Sequence, residues 1–344
     1  CRYLRQTGDF SIVNTSWAEE QEQGSSSSSP PSLFLDAMDL IVETMQNQSQ
    51  STIEQSKEKG NTNAQYPYRF FRDGFPWEYD VYPRSAPTNR TGMVRSAFRP
   101  SDDQTLLDFL VPSNAMAVVE LEQLVGLLVE NKEKFGGGAA VQTRVAGLIK
   151  LADGISKNIT VALGEFAMTT ASGNQTKEVH EEHGGVAASG EKTIFGFETN
   201  GFGAYNKMDD ANVPSLLSLP FIGFTNPTFA PAVDSTRNFV LSRENPYFYC
   251  GAVGCGVGSP HTWPGFIWPM AVIIRAITSN DDGEILEQLD MLKASAQYTG
   301  FMHESFDPNN VKNFTRPWFA WANTLFGELI LTLGEKKPYL IYKD

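Results

Sequence analysis

The segment Thr299-Gly-Phe-Met-His-Glu-Ser-Phe306 sets one carboxylate, Glu304, among aromatic rings and beside His303. A second aromatic block, Arg316-Pro-Trp-Phe-Ala-Trp-Ala-Asn323, begins ten residues later. An apolar setting of this kind tunes a carboxylate and holds it in one rotamer, as general acid or base chemistry requires. A second acidic segment lies far upstream, Phe98-Arg-Pro-Ser-Asp-Asp103. Two adjacent carboxylates beside a guanidinium can divide the roles of ion and acid, although the same pair would also suit a helix N-terminus.

Other segments bring further polar groups. Met208-Asp-Asp-Ala-Asn-Val-Pro-Ser-Leu-Leu217 joins Asp209 and Asp210 to the start of a short helix. In Val111-Pro-Ser-Asn114, Ser113 and Asn114 are helix caps or hydroxyl partners. The run Gly258-Ser-Pro-His-Thr-Trp-Pro-Gly-Phe-Ile-Trp-Pro269 is rich in glycine and aromatics and places His261 between Trp263 and Trp268. It lacks the Gly-Lys-Ser/Thr ending of a phosphate cradle. His180-Glu-Glu-His183 has a three-residue spacing, unlike the i, i+4 pair of a zinc-protease helix, and reads as an exposed loop rather than a metal site. No Gly-X-Ser-X-Gly nucleophile elbow occurs. No metal ligand set and no cofactor is expected.

These residues need a scaffold, and 344 residues can bury a sizeable core. The formal net charge of −13 argues against a nucleic-acid or anionic-membrane partner, since both need a basic face. No apolar window is long enough to insert in a bilayer. Aromatics make up 12%, mostly in loop-like segments, a composition that suits packing against the C–H faces of sugars. Three cysteines are too few for a disulfide framework. Cys250 and Cys255 could pair locally, but free buried thiols are expected. Six Asn-X-Ser/Thr sequons, at Asn14, Asn47, Asn89, Asn158, Asn174 and Asn313, point to a secretory or extracellular setting.

Residues 22–65 read as a low-complexity and polar insertion, with Ser25 to Ser29 at its start and one short helical pattern (Leu33, Leu35, Met38, Ile41) that dissolves from Gln46 onward. Beyond it helices dominate. Val118, Leu121, Val125 and Leu128 share a helical face. Ala139 to Glu165 is a second helix and Ala271 to Thr278 a third. Asp281 with Glu284 forms a capping box before Ile285, and a last helix from Trp318 to Leu333 stops at Gly334. Strand signals are few, Lys192 to Phe197 being one. The expectation is a mostly α fold with a loop-built site at one end.

Taken together, these blocks resemble glycoside hydrolase family 125, the metal-independent exo-α-1,6-mannosidases. The resemblance is carried by Phe98-Arg-Pro-Ser-Asp-Asp103 with Pro112-Ser-Asn114, Met208 to Leu217, Glu244-Asn-Pro-Tyr-Phe248, Gly258-Ser-Pro-His261 with Ile267-Trp-Pro269, Gly300-Phe-Met-His-Glu-Ser-Phe306 and Trp318-Phe-Ala-Trp-Ala-Asn323, in that order. It implies an (α/α)6 barrel, a six-hairpin toroid, as a single catalytic domain over residues 1–344. It also implies hydrolysis of terminal α-1,6-linked mannose with inversion, on a mannose-containing oligosaccharide or N-glycan. In such a mechanism an acid protonates the departing oxygen while a base activates water, with carboxyl groups roughly 6.5–9.5 Å apart. The resemblance makes Glu304 the base and leaves Asp102 and Asp103 open as the acid, Asp102 being preferred. Arg99, Asn114, Asp209, Asp210, His261 and His303 become candidates for holding the terminal mannose.

Two departures accompany the resemblance. Family members carry a Trp-Leu-Arg-Asp-Ser segment upstream, whose Arg and Asp reach the sugar. Cys1 to Asp9 corresponds to the chain just after it, so a barrel incomplete at its N-terminus is expected. The competing readings are a catalytically impaired sugar-binding fragment and a related hydrolase acting on another glycan.

Overall fold

In the computed structural model the described residues are 4, 7–11, 33–51, 87–135, 138–159, 163–166, 192–296 and 298–342. The serine-rich start of the 22–65 span, the aromatics between Tyr66 and Trp77, and His180 and His183 lie outside them. Helix α1 (Leu33–Gln48) falls within that span. Its inward stripe is Leu35, Met38, Val42 and Met45, whereas Ile41, expected on this face, is 51% exposed. The helix runs on through Gln46 because its end has partners: Arg95 gives both its backbone N–H (3.2 Å) and its Nε (3.0 Å) to the Gln48 carbonyl. Asp39 on the outer face holds Arg144 in a bidentate ion pair.

The two-residue strand β1 (Phe109–Leu110) leads into α2 (Val111–Glu130), and α3 (Gly138–Ile159) packs against α2 as a helical hairpin. Val118, Leu121, Leu124 and Leu128 face Leu148, Leu151, Ala152 and Ile155 in the core. Burying such side chains contributes about 1.5–3 kcal/mol each, so this hairpin is a main source of stability. The helix expected to reach Glu165 ends at Ile159. Residues Leu163–Phe166 instead form β2, which pairs antiparallel with β3 (Lys192–Phe195), giving both backbones hydrogen-bond partners.

Strands β4 (Glu198–Thr199) and β5 (Tyr205–Asn206) extend β1 into a three-stranded antiparallel sheet in the order β1-β4-β5. Helix α4 (Ala230–Val240) packs on β3, where Thr236 accepts the buried Phe195 N–H at 2.9 Å. The hairpin of β6 (Phe248–Gly251) and β7 (Gly254–Val257) puts Cys250 directly opposite Cys255, and the two form a disulfide. This corrects the expectation of free buried thiols: register, not burial, decides the pairing.

Helix α5 (Pro269–Ile277) is apolar on nearly every side and packs against both α6 (Asp282–Ala296) and α7 (Ala320–Lys336). Asp281 caps α6 by accepting the Glu284 N–H at 3.0 Å. The Glu284 carboxylate, expected to complete a capping box, is held by Arg237 and Arg275, each at 2.7 Å. Gly334 does not end α7. The helix continues to Lys336, where Lys337 N–H closes on the Leu333 carbonyl and Pro338 ends it. Between α6 and α7 lies the hairpin of β8 (Ser305–Asp307) and β9 (Asn310–Thr315). Among the described residues the fold is mostly helical, with a core cluster extending from Leu4 to Leu333. No helix among them is long and apolar enough to cross a membrane.

Candidate active site

The Arg99 to Asp103 segment is a tight loop closed on itself. Phe98 bridges to Gln104, Arg99 N–H donates to the Asp103 carbonyl (2.7 Å), and Asp102 N–H donates to that of Arg99 (3.0 Å). Asp102 sits at φ 70°, a left-handed conformation that is uncommon outside glycine, asparagine and aspartate. Neither aspartate caps a helix, because α2 begins only at Val111. Asp102 is exposed, and Asp103 is half-buried with its Oδ1 2.9 Å from Nδ1 of His261.

Arg99 lies beneath this loop, 7% exposed. Its Nε meets Glu198 at 2.7 Å and its guanidinium lies 5.6 Å from the centre of the Phe197 ring. The net effect raises its pKa: burial opposes the charge, and the hydrogen bond and charge of Glu198, with Asp210 and Asp103, outweigh it. Arg99 Nη2 is buried without a hydrogen-bond partner among the described residues. Glu198, at 0% exposure, also accepts Leu106 N–H (3.1 Å), Leu107 N–H (3.4 Å) and Asn206 Nδ2 (3.0 Å). It was absent from the expected site, yet its sequence setting carries a signal. A carboxylate following Ile194-Phe-Gly-Phe197 in an apolar run needs a buried cation.

Asp209 and Asp210 are fully buried. Asp209 accepts the amides of Leu216 (2.8 Å) and Leu217 (2.9 Å), and burial pushes its carboxyl up to about 8 against the pull of those amides. Asp210 accepts the backbone N–H (3.1 Å) and Nδ2 (2.7 Å) of Asn212, and Ser101 Oγ lies 3.5 Å from its other oxygen. Burial raises its pKa too, opposed by Asn212, Ser259 and Arg99. These contacts tie the Asp103 loop to the His261 loop, with Ala211 N–H donating to the Gly258 carbonyl at 3.1 Å.

Asn114 is similarly saturated. It accepts Val94 N–H (2.7 Å) and donates to the carbonyls of Val94 (3.0 Å) and Leu110 (2.9 Å). Asn114, Asp209 and Asp210 are all buried, Asn114 and Asp209 held by main-chain groups and Asp210 by Asn212 and Ser101, so in this structure they brace the loops of the site. Ser113, in the first turn of α2, is not its cap, since the N-cap is Leu110.

The His261 loop is closely packed at its base. Gly258 cannot be replaced without collision, because an added Cβ would strike the Phe266 carbonyl oxygen and lie 2.8 Å from the Tyr249 ring. Ile267 exchanges two 2.9 Å backbone hydrogen bonds with Phe306, joining this loop to the strand that follows Glu304. Rings continue the connection. Trp268 lies edge-on to His261 at 6.3 Å and to Phe319 at 6.0 Å, and Arg316 lies over Phe319 at 5.6 Å. Arg316 Nε then reaches Glu304 Oε1 at 3.2 Å. Arg316 is itself left-handed, at φ 43°. Glu304 is 5% exposed, and its N–H donates to the Thr315 carbonyl at 3.3 Å.

His303 faces away from this surface. It stacks on Phe314 at 3.8 Å, with Nδ1 2.9 Å from the Pro317 carbonyl and Nε2 3.4 Å from Thr299 Oγ1. The carbonyl can only accept, so Nδ1 carries a proton; Thr299 Oγ1 also donates to the Phe301 carbonyl at 3.3 Å. In this structure the ring nitrogens of His303 both have protein neighbours, and its ring face is covered by Phe314.

Burial lowers the His303 pKa below 6.5 despite the carbonyls around it. The unfolded chain therefore takes up a proton first on acidification. Its stabilising contribution is complete above about pH 6.5 and falls away below it. The unfolding free-energy difference between wild type and His303→Gln is expected to shrink between about pH 7.5 and pH 5. Urea titrations at the two pH values check this, and a constant difference would contradict it.

Among the described residues no group of three or more His, Cys, Asp or Glu side chains is placed to hold a metal ion. The arrangement offers two acidic segments, a buried arginine behind one of them and aromatic rings between them.

Residues 9–331 match the family described as metal-independent alpha-mannosidase (GH125). The meiotically up-regulated gene 157 protein of Schizosaccharomyces pombe (strain 972 / ATCC 24843) is 38% identical over 315 residues, which are 90% of this chain and 55% of that protein. A solved Streptococcus pneumoniae structure from a family of metal-independent alpha mannosidases, in a non-productive complex with alpha-1,6-mannobiose, is 32% identical with a TM-score of 0.70. That match covers 90% of this chain and 63% of the bacterial one. The chain thus spans a little over half the length of the first relative and just under two thirds of the second. With the match running through every block that builds the site, this chain belongs to the metal-independent α-mannosidases of glycoside hydrolase family 125.

Proposed function

We propose that this chain carries the acid and base of an exo-acting α-mannosidase that removes terminal α-1,6-linked mannose with inversion and without a metal. In this reading its helical hairpins are part of an (α/α)6 barrel. One observation carries the proposal. The Asp103 loop and the Glu304 segment, 201 residues apart, are joined by a hydrogen bond to His261, ring contacts through Trp268 and Phe319, and the Arg316–Glu304 ion pair. The complex of the bacterial relative with alpha-1,6-mannobiose supports the choice of substrate.

Asp102 is the preferred acid. It is the more exposed member of the pair and is held in a left-handed turn. It gives its proton to the glycosidic oxygen as the C1–O bond breaks. Water attacks C1 from the opposite face, forming the new C–O bond, and Glu304 accepts the proton that the water loses. Arg99, buried behind this loop and paired with Glu198, contributes its positive charge to the sugar site. His261 fixes Asp103.

Proton NMR of α-1,6-mannobiose turnover by the full-length protein tests the reaction. The β-anomer of mannose is expected to appear first, with EDTA without effect. Initial release of the α-anomer, or loss of turnover in EDTA, would overturn the reading.

A secretory or extracellular location accords with the Cys250–Cys255 disulfide and with exposed sequon asparagines at Asn89 and Asn313.

A further inference from the structure

We infer that Trp263 is the platform on which the leaving sugar stacks, so that it selects for an oligosaccharide rather than for any α-mannoside; this rests on the mannosidase reading above. Trp263 is 69% exposed, the highest value among the described tryptophans. An indole is among the side chains with most to gain from burial, and one held out in water calls for a partner.

The loop that presents it is pinned on both sides. Gly258 N–H donates to the Tyr247 carbonyl (2.8 Å) and Trp268 N–H to that of Val257 (3.1 Å), closing the loop at its base. The residue before Trp263, Thr262, accepts Trp268 Nε1 at 2.9 Å, and the one before that, His261, is held by Asp103. On the following side, Phe266 N–H returns to the Trp263 carbonyl at 3.2 Å. An aromatic ring presented on a fixed loop gives up little conformational freedom when a ligand covers it.

The side of the site identifies the occupant. In an inverting hydrolysis the departing sugar leaves with the proton of the acid, so it lies beside the acid and away from the base. Trp263 is on the loop that contacts Asp103. Trp318 and Trp321, also exposed, flank Phe319, which lies under Arg316 and hence on the Glu304 side, where water attacks. The apolar C–H face of a mannosyl residue in the leaving position therefore meets Trp263 and not the other two.

The test compares two substrates with the full-length protein. α-1,6-Mannobiose has a leaving sugar, and α-mannosyl fluoride has none. Trp263→Ala is expected to raise KM for mannobiose roughly ten-fold, with kcat/KM for the fluoride within about two-fold of wild type. Trp263→Phe is expected to restore most of the loss. An unchanged KM for mannobiose, or an equal loss on both substrates, would overturn the inference. If the wild type hydrolyses neither, the mannosidase reading fails, and calorimetry with sulfur-linked mannobiose and methyl α-mannoside decides the platform alone. Loss of the preference for the disaccharide in Trp263→Ala supports it. The same preference in wild type and variant, or none in wild type, refutes it.

Discussion

Glu304→Gln is expected to lower kcat on α-1,6-mannobiose by roughly 10²–10⁴-fold, the usual contribution of a positioned acid or base. The loss should fall on kcat and leave KM close to wild type, because an interaction made only in the transition state is being removed. Several features make this substitution a clean one. Glu304 is 5% exposed, and its backbone is held through Thr315 independently of its side chain. Its ionic partner among the described residues, Arg316, is 61% exposed and returns to water when the charge is lost. A neutral isostere therefore leaves no buried cation behind, and the thermal midpoint should move little. Steady-state kinetics and a melting curve on the same preparation check both halves. A loss of less than about ten-fold would remove Glu304 from the reaction.

Glu198→Ala should produce the opposite pattern, a large loss of stability. Its carboxylate is fully buried and meets four donors: Arg99 Nε, the amides of Leu106 and Leu107, and Asn206 Nδ2. Removing it strands Arg99, which is itself buried and already has one unpartnered nitrogen among the described residues. Breaking a buried pair by deleting one partner costs about 3–5 kcal/mol, because the remaining charge has lost its compensation. Urea denaturation should show that loss, and a shift below about 1 kcal/mol would mean that water reaches Arg99 in the variant. Activity should fall as well, since Glu198 orients both the arginine and the backbone that follows the Asp102–Asp103 turn.

The contrast between the two carboxylates explains how much of the site was legible in the sequence. Glu304, Asp102 and Asp103 stand in segments dense with chemistry-bearing residues, which makes them legible as candidates from residue order alone. Glu198 stands alone between phenylalanine and threonine, and its importance comes from an arginine 99 residues away. His303 looked equal to Glu304 because it adjoins it. A one-residue step at the start of a strand turns the side chain to the opposite face, and His303 ends up against Phe314 while Glu304 meets Arg316.

Local signals were sound where local physics decides. The apolar periodicity of α2, the Asp281 cap and the apolar run of α5 all depend on contacts within a few residues, and each formed where expected. They failed where a distant partner supplies the decisive bond. Strand β2 replaces the end of a helix because β3 completes its hydrogen bonds, and Cys250 joins Cys255 because the hairpin register sets them opposite each other. The amino-acid sequence by itself determined the family, the mostly helical class and the two acidic segments, since these reside in residue order and short-range periodicity. Tertiary structure alone decided which polar groups are open to a ligand and which are consumed as braces. Burial and hydrogen-bond saturation are set by chain segments that meet only when the protein folds.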